Sequence, residues 1–378
     1  SFQLPSNLNN SLGFKSSNVF SRKEILEKKF NTSMYNNDYV LKSLHKDLLD
    51  FQEYNRELIR KIKPIQEELL DYIKDAVADT LPDFEVKLYG SHATGLCLSW
   101  SDLDTVLVHR KGMAHLTFSP SLQSLYLKLL EKPWKKSIKY IDTALIPLIK
   151  IVASDKYNNM QIDISVQDSK HQGLKCVELV KSYMEEFEAL EPLLYSLKNL
   201  LKNANLNDPY TGGLSSYGLI LMLVSFLQNQ NEHGKNITIK KEVNSNNIGR
   251  LFLEFCYYYG VVFDHSKYVI NAYPMNGNDN YQDKESLNFL YSLQSTHDLI
   301  IVDPLTKNNN VARSTHQIGN IKMSFMIAFL VSHEECECSC HYGNPYTCHD
   351  DMQSVEHCIL KRIFNSVRRF NMTNSALI

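Results

Sequence analysis

The spacing of apolar positions changes twice along the chain, which divides the sequence into segments of different secondary structure. Between Tyr39 and Thr80 apolar residues recur at intervals of three and four, the spacing of a helix that is apolar on one side. We predict two amphipathic helices here. Residues 81–168 instead contain short β-rich runs, FEVKLYG, TVLVH, LIPLIKIVA and MQIDISV, with one helix near SLQSLYLKLLEK.

The helical spacing then returns, in segments such as LEPLLYSLKNLLKNANL, SSYGLILMLVSFLQNQ and GNIKMSFMIAFLVS. The β-rich segment therefore interrupts a helical one. We predict an α+β fold in which a mixed sheet with helices (81–168) is inserted in a helical central domain (36–80 and 169–335). A cleft is expected between the two domains.

The two ends of the chain have compositions of their own. Residues 1–35 are rich in Asn and Ser and show little periodicity, so we predict a flexible arm. Residues 336–378 comprise a Cys/His-rich loop followed by VEHCILKRIFNSVRRF. Its apolar stripe predicts a C-terminal helix packed on the body, with a partner-docking or RNA-contacting helix as the alternative.

Charge and hydropathy limit what the chain can bind. The net charge is −2, so no overall positive field attracts nucleic acid, and local patches or a partner would have to supply phosphate contacts. No apolar stretch approaches the roughly 20 residues of a membrane span. The first residues lack the pattern of a signal peptide. Together with single cysteines in apolar segments, these features predict an intracellular protein.

Five of the eight cysteines lie within residues 336–358, together with His341, His349 and His357. Thiolates and imidazoles suit zinc, and four of them would close a tetrahedral structural Zn²⁺ site. The spacing Cys-x-Cys-x-Cys-His matches no standard zinc finger, however. A zinc site, a reduced exposed loop and disulfides therefore all stay open.

Two carboxylates stand out in LYGSHATGLCLSWSDLDTVLV, residues 88–108, where Asp102 and Asp104 flank one leucine. Residues two apart in a strand project from the same face. Paired carboxylates beside a buried strand are costly unless a cation neutralises them, and Mg²⁺ prefers such oxygen ligands. Asp163, alone among apolar neighbours in MQIDISV, is a third candidate, and three carboxylates could hold two metal ions. A capping or solvated Asp-x-Asp pair is the alternative.

A Gly-Ser turn precedes this pair. Gly90 would let the backbone approach a phosphate, and Ser91 offers N–H and hydroxyl donors. Gly-Ser followed eleven residues later by Asp-x-Asp, with a distant third Asp, resembles the DNA polymerase β-like nucleotidyltransferase superfamily. The resemblance implies that the turn grips a nucleoside triphosphate and that the three carboxylates are catalytic and hold two Mg²⁺ or Mn²⁺ ions.

Further blocks extend the resemblance over about residues 60–333: ALIPLIKIV, NDPYTGGLSSYGLILMLVSFLQ, NIGRLFLEFCYYYG, VDPLTKNNNVARST and NIKMSFMIAFLVS. They look like the template-independent RNA nucleotidyltransferases, in particular the Trf-type poly(A) polymerases, catalytic subunits of the nuclear TRAMP surveillance complex. The sheet domain would then be the catalytic palm. The resemblance implies an RNA 3′ end as substrate, an RNA-binding partner protein or larger RNA-processing complex, and nuclear residence, with the cytoplasm as the alternative.

The resemblance also implies nucleotide contacts. Lys198 and Lys202 lie four apart, on one helix face, and relatives use matching lysines for the β- and γ-phosphates; solvated surface lysines are the alternative. Ser216 begins a helix whose N–H groups and hydroxyl suit an anion. Relatives stack the residue at Tyr217 on the incoming base, although a tyrosine here could also be a core anchor. Gln172 stands where relatives often carry an Asn that touches the ribose hydroxyl.

The choice of base is expected in DPLTKNNNVAR, which begins at Asp303. Uridylyl-adding relatives usually carry a His two positions before the Val, where this chain has Asn309. An amide offers a donor and an acceptor to the Watson–Crick edge of adenine and leaves more room for a purine, so ATP is favoured over UTP. Arg313 stands at the usual place, but Ala312 replaces the Gly of most relatives.

Three functions follow from the sequence. The first is an RNA 3′-terminal nucleotidyltransferase that adds adenylates, a poly(A) polymerase that uses two-metal-ion catalysis in RNA processing or surveillance. The second is a terminal uridylyltransferase acting on small RNAs or RNA ends. The third is a catalytically inactive scaffold subunit of an RNA-processing complex. The presence of all three Asp, the Gly-Ser turn and both lysines favours an enzyme.

Overall fold

The structure, a computed structural model, describes residues 38–112, 122–143, 146–168, 171–232, 247–272, 281–283, 299–332 and 358–375. The predicted N-terminal arm (1–35) lies outside the described residues. So does the Cys/His cluster, apart from Cys358, whose thiol is free of disulfide bonding. The zinc prediction therefore stays a prediction.

The chain enters the fold through one long helix, α1 (Asp38–Thr80), which contains Pro64. The prediction of two helices in this region is wrong, although a proline inside a helix removes one hydrogen bond and usually kinks or ends it. Each half of α1 is instead fixed by burial. Leu44 and Leu48 are fully buried in a core of helices, whereas Leu69 and Ile73 are fully buried against the sheet.

This division of α1 also moves the predicted domain boundary. The sequence pattern placed all of residues 36–80 in the helical domain, but the last turns of α1 pack on the sheet core together with Ala76 and Val77. Helical periodicity identifies the apolar face of a helix without identifying what covers it. The boundary between the two cores therefore lies within α1, before Leu69.

The β-rich segment forms a five-stranded sheet of order β1-β2-β5-β4-β3. The strands are β1 (Phe84–Leu88), β2 (Leu103–His109), β3 (Lys135–Ile141), β4 (Leu148–Ala153) and β5 (Gln161–Val166), with the helices α2 (Gly90–Thr94) and α3 (Leu122–Leu130). Strands β2 and β5 run parallel, and the other neighbours run antiparallel. The predicted α+β fold with a mixed sheet is confirmed.

The sequence pattern does not predict β3. Its sequence, KKSIKYI, contains three lysines and only half-buried or exposed side chains. The strand lies at the edge of the sheet, where lysines are common because they discourage pairing with another chain. The polar composition that hides this strand from the hydrophobic pattern thus reflects its edge position.

The helical part is built from α4 (Gly173–Glu186), α5 (Leu190–Asn203), α6 (Ser216–Glu232), α7 (Asn247–Tyr257), α8 (Ile318–Ser332) and α9 (Ile359–Ser375), with short strands β6 (Tyr268–Ile270) and β7 (Tyr281–Asp283). A one-turn helix, Pro209–Thr211, precedes α6, and a π-helical turn, Tyr258–Val262, follows α7.

The core of the helical part is aromatic. Phe252, Phe255 and Phe325 are fully buried. The rings of Phe255 and Phe325 meet edge to face, with their centroids 5.4 Å apart. The C-terminal helix α9 covers this core with Ile363 and Val367, both fully buried, as its apolar stripe predicts. Among the described residues, no helix has the length and apolar content needed to cross a membrane.

Candidate active site

Strand register brings the predicted carboxylates together. In the parallel pair β2–β5, Asp104 lies opposite Asp163. Asp102 immediately precedes β2 and lies two residues before Asp104, so it projects to the same face. Leu103 between them is buried in the sheet core at 1 % exposure. The two-residue period of a strand therefore places the carboxylates on the open face and the leucine on the packed one.

The three carboxylates lie close enough to perturb one another. Burial, followed by the charges of Asp163 and Asp102, raises the pKa of Asp104 to about 7. Burial and then the charge of Asp163 also raise the pKa of Asp102. Both shifts have the direction expected for carboxylates that are removed from water and face like charges. Burial and the neighbouring carboxylates therefore both disfavour the charged forms of Asp102 and Asp104.

One cation of the chain partly offsets this charge. Lys150 lies opposite Asp163 in the antiparallel pair β4–β5, and its ammonium donates a hydrogen bond of 2.7 Å to Asp163 Oδ2. Burial alone would lower the pKa of Lys150, but the hydrogen bond to Asp163 and the charge of that carboxylate outweigh burial and raise it. Lys150 thus stays charged beside the cluster.

The donor set suits a divalent cation on chemical grounds, since carboxylate oxygens are the ligands that Mg²⁺ prefers and Asp102, Asp104 and Asp163 line one cavity. Within the described ranges, however, no three acidic, His or Cys side chains already close around a common point. Lys150 holds one oxygen of Asp163.

The predicted Gly-Ser turn lies directly against Asp104. Gly90 has φ +65°, and a Cβ atom added there would overlap the Asp104 carboxylate. The N–H of Tyr89 donates to the Asp104 carbonyl at 3.1 Å, which fixes the turn to β2. Ser91 follows in the first turn of α2, where Thr94 Oγ1 donates to its carbonyl at 3.0 Å. Glycine is required because only a residue without Cβ fits this approach.

A cavity of about 880 Å³ opens between the sheet and the helical part, where a cleft is predicted. It brings together most of the predicted site: Gly90, Ser91, Asp102, Asp104, Asp163, Lys198, Lys202, Ser216 and Tyr217 all line it. The remaining four predicted residues, Gln172, Asp303, Asn309 and Arg313, are not among its lining residues. The cavity is large enough for a nucleotide.

The two predicted phosphate-binding lysines have different environments. Lys198 is 3 % exposed, and its ammonium donates to the Leu96 carbonyl at 2.8 Å. Burial lowers its pKa to about 8, although Cys97 and Asp104 act in the opposite direction. Lys202 is exposed, and its ammonium lies 5.0 Å from the centre of the Trp100 ring. Helical spacing places both lysines at the cavity, and only tertiary packing buries Lys198.

A hydrogen-bonded chain connects the cavity to the segment predicted to choose the base. Tyr217, on the cavity wall, donates its hydroxyl proton to Asp303 Oδ1 at 3.3 Å. Asn309 Nδ2 donates to Asp303 Oδ2 at 2.8 Å, and the N–H of Leu305 donates to Asp303 Oδ1 at 2.9 Å. Because a carboxylate only accepts hydrogen bonds, the amino group of Asn309 faces Asp303 and its carbonyl oxygen points away.

Gln172 and Arg313, the last two predicted residues, do not line the cavity. Gln172 is the residue before α4, next to Gly173, which does line the cavity. Arg313 is exposed, and its backbone N–H donates to the Asn310 carbonyl at 3.3 Å. Neither side chain takes part in the cavity wall.

Lys150, Trp100, Asp208 and Tyr210 also line the cavity, and sequence reasoning did not identify them. Lys150 carries one usable signal, a single lysine within the apolar run LIPLIKIVA. Its role as partner of Asp163 depends on strand register, which one sequence does not reveal. Tyr210 belongs to a short turn between helices and shows no hydrophobic period.

Comparison with protein families agrees with this architecture. The family model described as poly(A) RNA polymerase, mitochondrial-like, central palm domain matches residues 41–185. The model of the Cid1 family poly A polymerase matches residues 247–309. The first match includes α1 and the sheet with all three carboxylates, and the second includes Asp303 and Asn309.

Three curated relatives are similar over most of the chain. Poly(A) RNA polymerase protein 2 of Saccharomyces cerevisiae is 27% identical over 78% of this chain and 50% of its own length. Poly(A) RNA polymerase cid14 of Schizosaccharomyces pombe is 31% identical over 77% and 40%. The inactive poly(A) RNA polymerase protein Trf4-2 of Drosophila melanogaster is 28% identical over 76% and 67%. The chain spans half or less of the first two relatives.

Solved structures share the fold. The polymerase core of TRAMP, an RNA surveillance complex, superposes with a TM-score of 0.65 at 26% identity, covering 78% of this chain and 90% of that one. The Cid1 poly(U) polymerase, in a variant bound to MgATP, gives a TM-score of 0.60 at 22% identity and covers 79% of this chain and 97% of its own. The second likeness concerns the fold alone.

Proposed function

The chain belongs to the Trf-type poly(A) polymerase family of the DNA polymerase β-like nucleotidyltransferases, and we propose that it adds adenylates to RNA 3′ ends without a template. The observation that carries the proposal is the register of Asp104 with Asp163, with Asp102 on the same face and the Gly90–Ser91 turn against Asp104. These groups support binding of a triphosphate, a hydroxyl nucleophile and divalent cations in one cavity.

The reaction joins the RNA 3′-oxygen to the α-phosphorus of the nucleotide and releases pyrophosphate. Asp102, Asp104 and Asp163 would hold Mg²⁺, which when bound neutralises phosphate charge and lowers the pKa of the attacking hydroxyl. The chain itself supplies positions and charge rather than a covalent intermediate. We assign the RNA 3′-hydroxyl to the side of the cavity where Asp163 lies beside Lys150.

The triphosphate would lie between the Gly-Ser turn and α5. Ser91 offers its hydroxyl and backbone N–H at the cavity wall, while Lys198 and Lys202 line the helical wall. Ser216 begins α6 there, so its N–H group and hydroxyl add donors for an anion. These are the donors that a triphosphate needs, and they stand on rigid helices and on a turn fixed to β2.

The geometry around Asp303 favours adenine over uracil. Asn309 donates one N–H of its amide to Asp303, which turns its carbonyl oxygen away from that carboxylate. This acceptor matches the N6 amino group of adenine, whereas uracil offers an acceptor, O4, at the corresponding position and a single donor, N3–H, beside it. Tyr217 connects this arrangement to the cavity wall. We therefore assign ATP as the preferred nucleotide and keep the terminal uridylyltransferase as the second candidate.

Primer extension with each of the four NTPs tests the reaction and the base choice. We expect the wild-type chain to extend an RNA primer with Mg²⁺ and ATP in preference to UTP. Asp102→Asn, Asp104→Asn and Asp163→Asn should each reduce the rate at least about 1000-fold, or about 4 kcal/mol, because each removes a metal ligand. Extension at the wild-type rate by these variants would refute the assignment.

Asp155→Asn is the matched control. Asp155 is a carboxylate of the same domain, but its side chain is 80% exposed and pairs with Lys136 on the surface. This variant should extend RNA at the wild-type rate.

If the wild-type chain extends RNA faster with UTP than with ATP, the result would favour the terminal uridylyltransferase over the poly(A) polymerase.

An inactive scaffold is the contrasting candidate, because one relative, Trf4-2, is named as inactive. All three carboxylates, the Gly-Ser turn and both lysines line a cavity in this chain, which supports an enzyme. The likeness to the polymerase core of TRAMP, an RNA surveillance complex, supports a place in a larger complex, for which we propose an RNA-binding partner and nuclear residence. Co-purification from nuclei, with RNA-binding proteins identified by mass spectrometry, would test both.

A further inference from the structure

One aromatic side chain that lines the cavity is strongly exposed. Tyr210 is 83% exposed, the highest value among the large hydrophobic side chains that the structure describes as exposed. A single exposed aromatic on a protein surface needs no explanation, but Tyr210 lines the same cavity as the three carboxylates. Its ring is therefore available to a ligand in that cavity.

The backbone that carries Tyr210 is held firmly. Asp208 caps the turn: its Oδ1 accepts from the N–H of Tyr210 at 2.9 Å, and its carbonyl accepts from the N–H of Gly213 at 2.9 Å. Gln317 Nε2 donates to the Thr211 carbonyl at 2.7 Å. An aromatic ring on a fixed turn loses little conformational entropy when a ligand stacks on it.

The turn and Asp163 line the same cavity. Lys150, which donates to Asp163 at 2.7 Å, lines it as well. The ring thus shares one cavity with the carboxylate assigned to the hydroxyl nucleophile, and a different tyrosine, Tyr217, is assigned to the nucleotide.

We propose that Tyr210 is the stacking platform for the 3′-terminal base of the RNA primer. The inference rests on the proposed function and adds the position of the second substrate. Base–aromatic stacking tolerates any base, because every base has a π-face. That property suits a template-independent enzyme, whose primer ends differ in sequence.

Fluorescence of an RNA oligonucleotide with 2-aminopurine at its 3′ end tests stacking without turnover. Binding to the wild-type chain in the absence of NTP should quench the fluorophore, since stacking on an aromatic ring quenches 2-aminopurine. Tyr210→Phe should preserve the quenching, and Tyr210→Leu should abolish it and weaken binding about 10-fold. Tyr54→Leu, at a 57% exposed tyrosine of α1 that does not line the cavity, should behave like wild type.

Extension kinetics separate the inference from the proposed function. In Tyr210→Leu the KM for RNA should rise about 10-fold while the KM for ATP stays within about 2-fold. If wild type extends RNA and Tyr210→Leu has unchanged quenching and an unchanged KM for RNA, the platform is refuted and the enzyme stands. If wild type extends nothing, yet quenching depends on Tyr210, the proposed function fails and the platform stands.

Discussion

Gly90 shows how a single hydrogen atom in place of a side chain allows the site to form. Its α-carbon approaches the Asp104 carboxylate so closely that a Cβ would overlap it, and its φ of +65° is a conformation that L side chains rarely adopt. The turn and the carboxylate therefore constrain each other. Any residue larger than glycine has to displace Asp104 or the turn.

We predict that Gly90→Ala lowers the rate of RNA extension at least about 100-fold, because a shift of about 1 Å in a catalytic group has that effect. Gly95→Ala is the matched control. Gly95 also has a positive φ, +81°, but nothing lies within 4 Å of its added Cβ. Gly95→Ala should lose about 1–2 kcal/mol of unfolding free energy in urea because of its positive φ, and Gly90→Ala should lose at least as much. Only Gly90→Ala should lose the activity. Equal activities would contradict this account of the turn.

We predict that Lys198 makes nucleotide affinity depend on pH. Burial lowers its pKa to about 8, so its ammonium is charged below pH 8 and is progressively neutralised above it. A triphosphate binds the charged form better. We therefore expect the Kd of a non-hydrolysable ATP analogue, measured by calorimetry with Mg²⁺ and without RNA, to rise about 10-fold between pH 7 and pH 9.5.

Lys198→Met provides the control for this titration. Without the ammonium, the affinity should be low at every pH and nearly constant over the same range. A wild-type affinity that stays constant to pH 9.5, or a variant that retains the wild-type dependence, would show that another group is responsible.

Elements of secondary structure determine which residues meet. Strand β5 lies between β2 and β4, so Asp163 has Asp104 on one side and Lys150 on the other. A shift of one residue in either register would turn a whole strand over, with carboxylates in the core and leucines in the cavity. Burial of Leu103 and Ile162 in the sheet core thus fixes the position of the acidic groups.

The long helix α1 belongs to both cores. Its residues 56–68 include no fully buried side chain, although Ile62 and Ile65 pack against the sheet core. Pro64 lies among them and is exposed. A proline inside a helix costs about 3 kcal/mol relative to alanine, because one hydrogen bond is lost and the ring crowds the preceding turn. Burial of the helix at both ends keeps it continuous.

We predict that Pro64→Ala stabilises the protein by about 1–3 kcal/mol, since it restores a helical hydrogen bond without changing a buried contact. The measurement is urea unfolding followed by circular dichroism. Lys63→Ala, at a neighbouring side chain that is 67% exposed, should change stability by no more than about 0.5 kcal/mol. A Pro64→Ala variant less stable than wild type would show that the native helix requires the proline.

At the scale of the whole molecule, positive and negative charges nearly cancel, and the charged groups proposed to contact RNA and nucleotide are concentrated in the cavity. The net charge is −2, while the cavity combines Lys150, Lys198 and Lys202 with the acidic groups. Net charge sets long-range attraction to RNA, whereas local charge sets contact with a few phosphates. The chain should therefore hold an RNA end weakly, and a partner would supply further contacts.

We expect the chain alone to bind single-stranded RNA with a Kd of about 10⁻⁶ M or weaker at physiological salt. With about three phosphate contacts, log K should fall with log salt at a slope of about −2, since each contact contributes about 0.7. Filter binding between 50 and 200 mM KCl measures both quantities. Nanomolar affinity at the upper salt concentration would exclude such a weak, local contact.

Local order in the chain was sufficient to predict the alternation of helical and β-rich segments and the apolar stripe of α9. It also singled out Gly90, Ser91 and the three carboxylates, which the structure brings to one cavity. These features depend on residues close in sequence, whose periodicity and spacing follow from helix and strand geometry. The family resemblance, carried by ordered motifs, was likewise present in the sequence and agrees with the comparisons.

Tertiary structure alone decided the contacts between distant segments. It joined α1 into one helix across two cores, added the lysine-rich edge strand β3, paired Lys150 with Asp163, buried Lys198 and presented Tyr210 to the cavity. Each of these depends on strand order or on what covers a given face, and the free energy of such packing is distributed over residues far apart in sequence. A pattern read along one chain shows which face is apolar, and only the folded chain shows what lies against it.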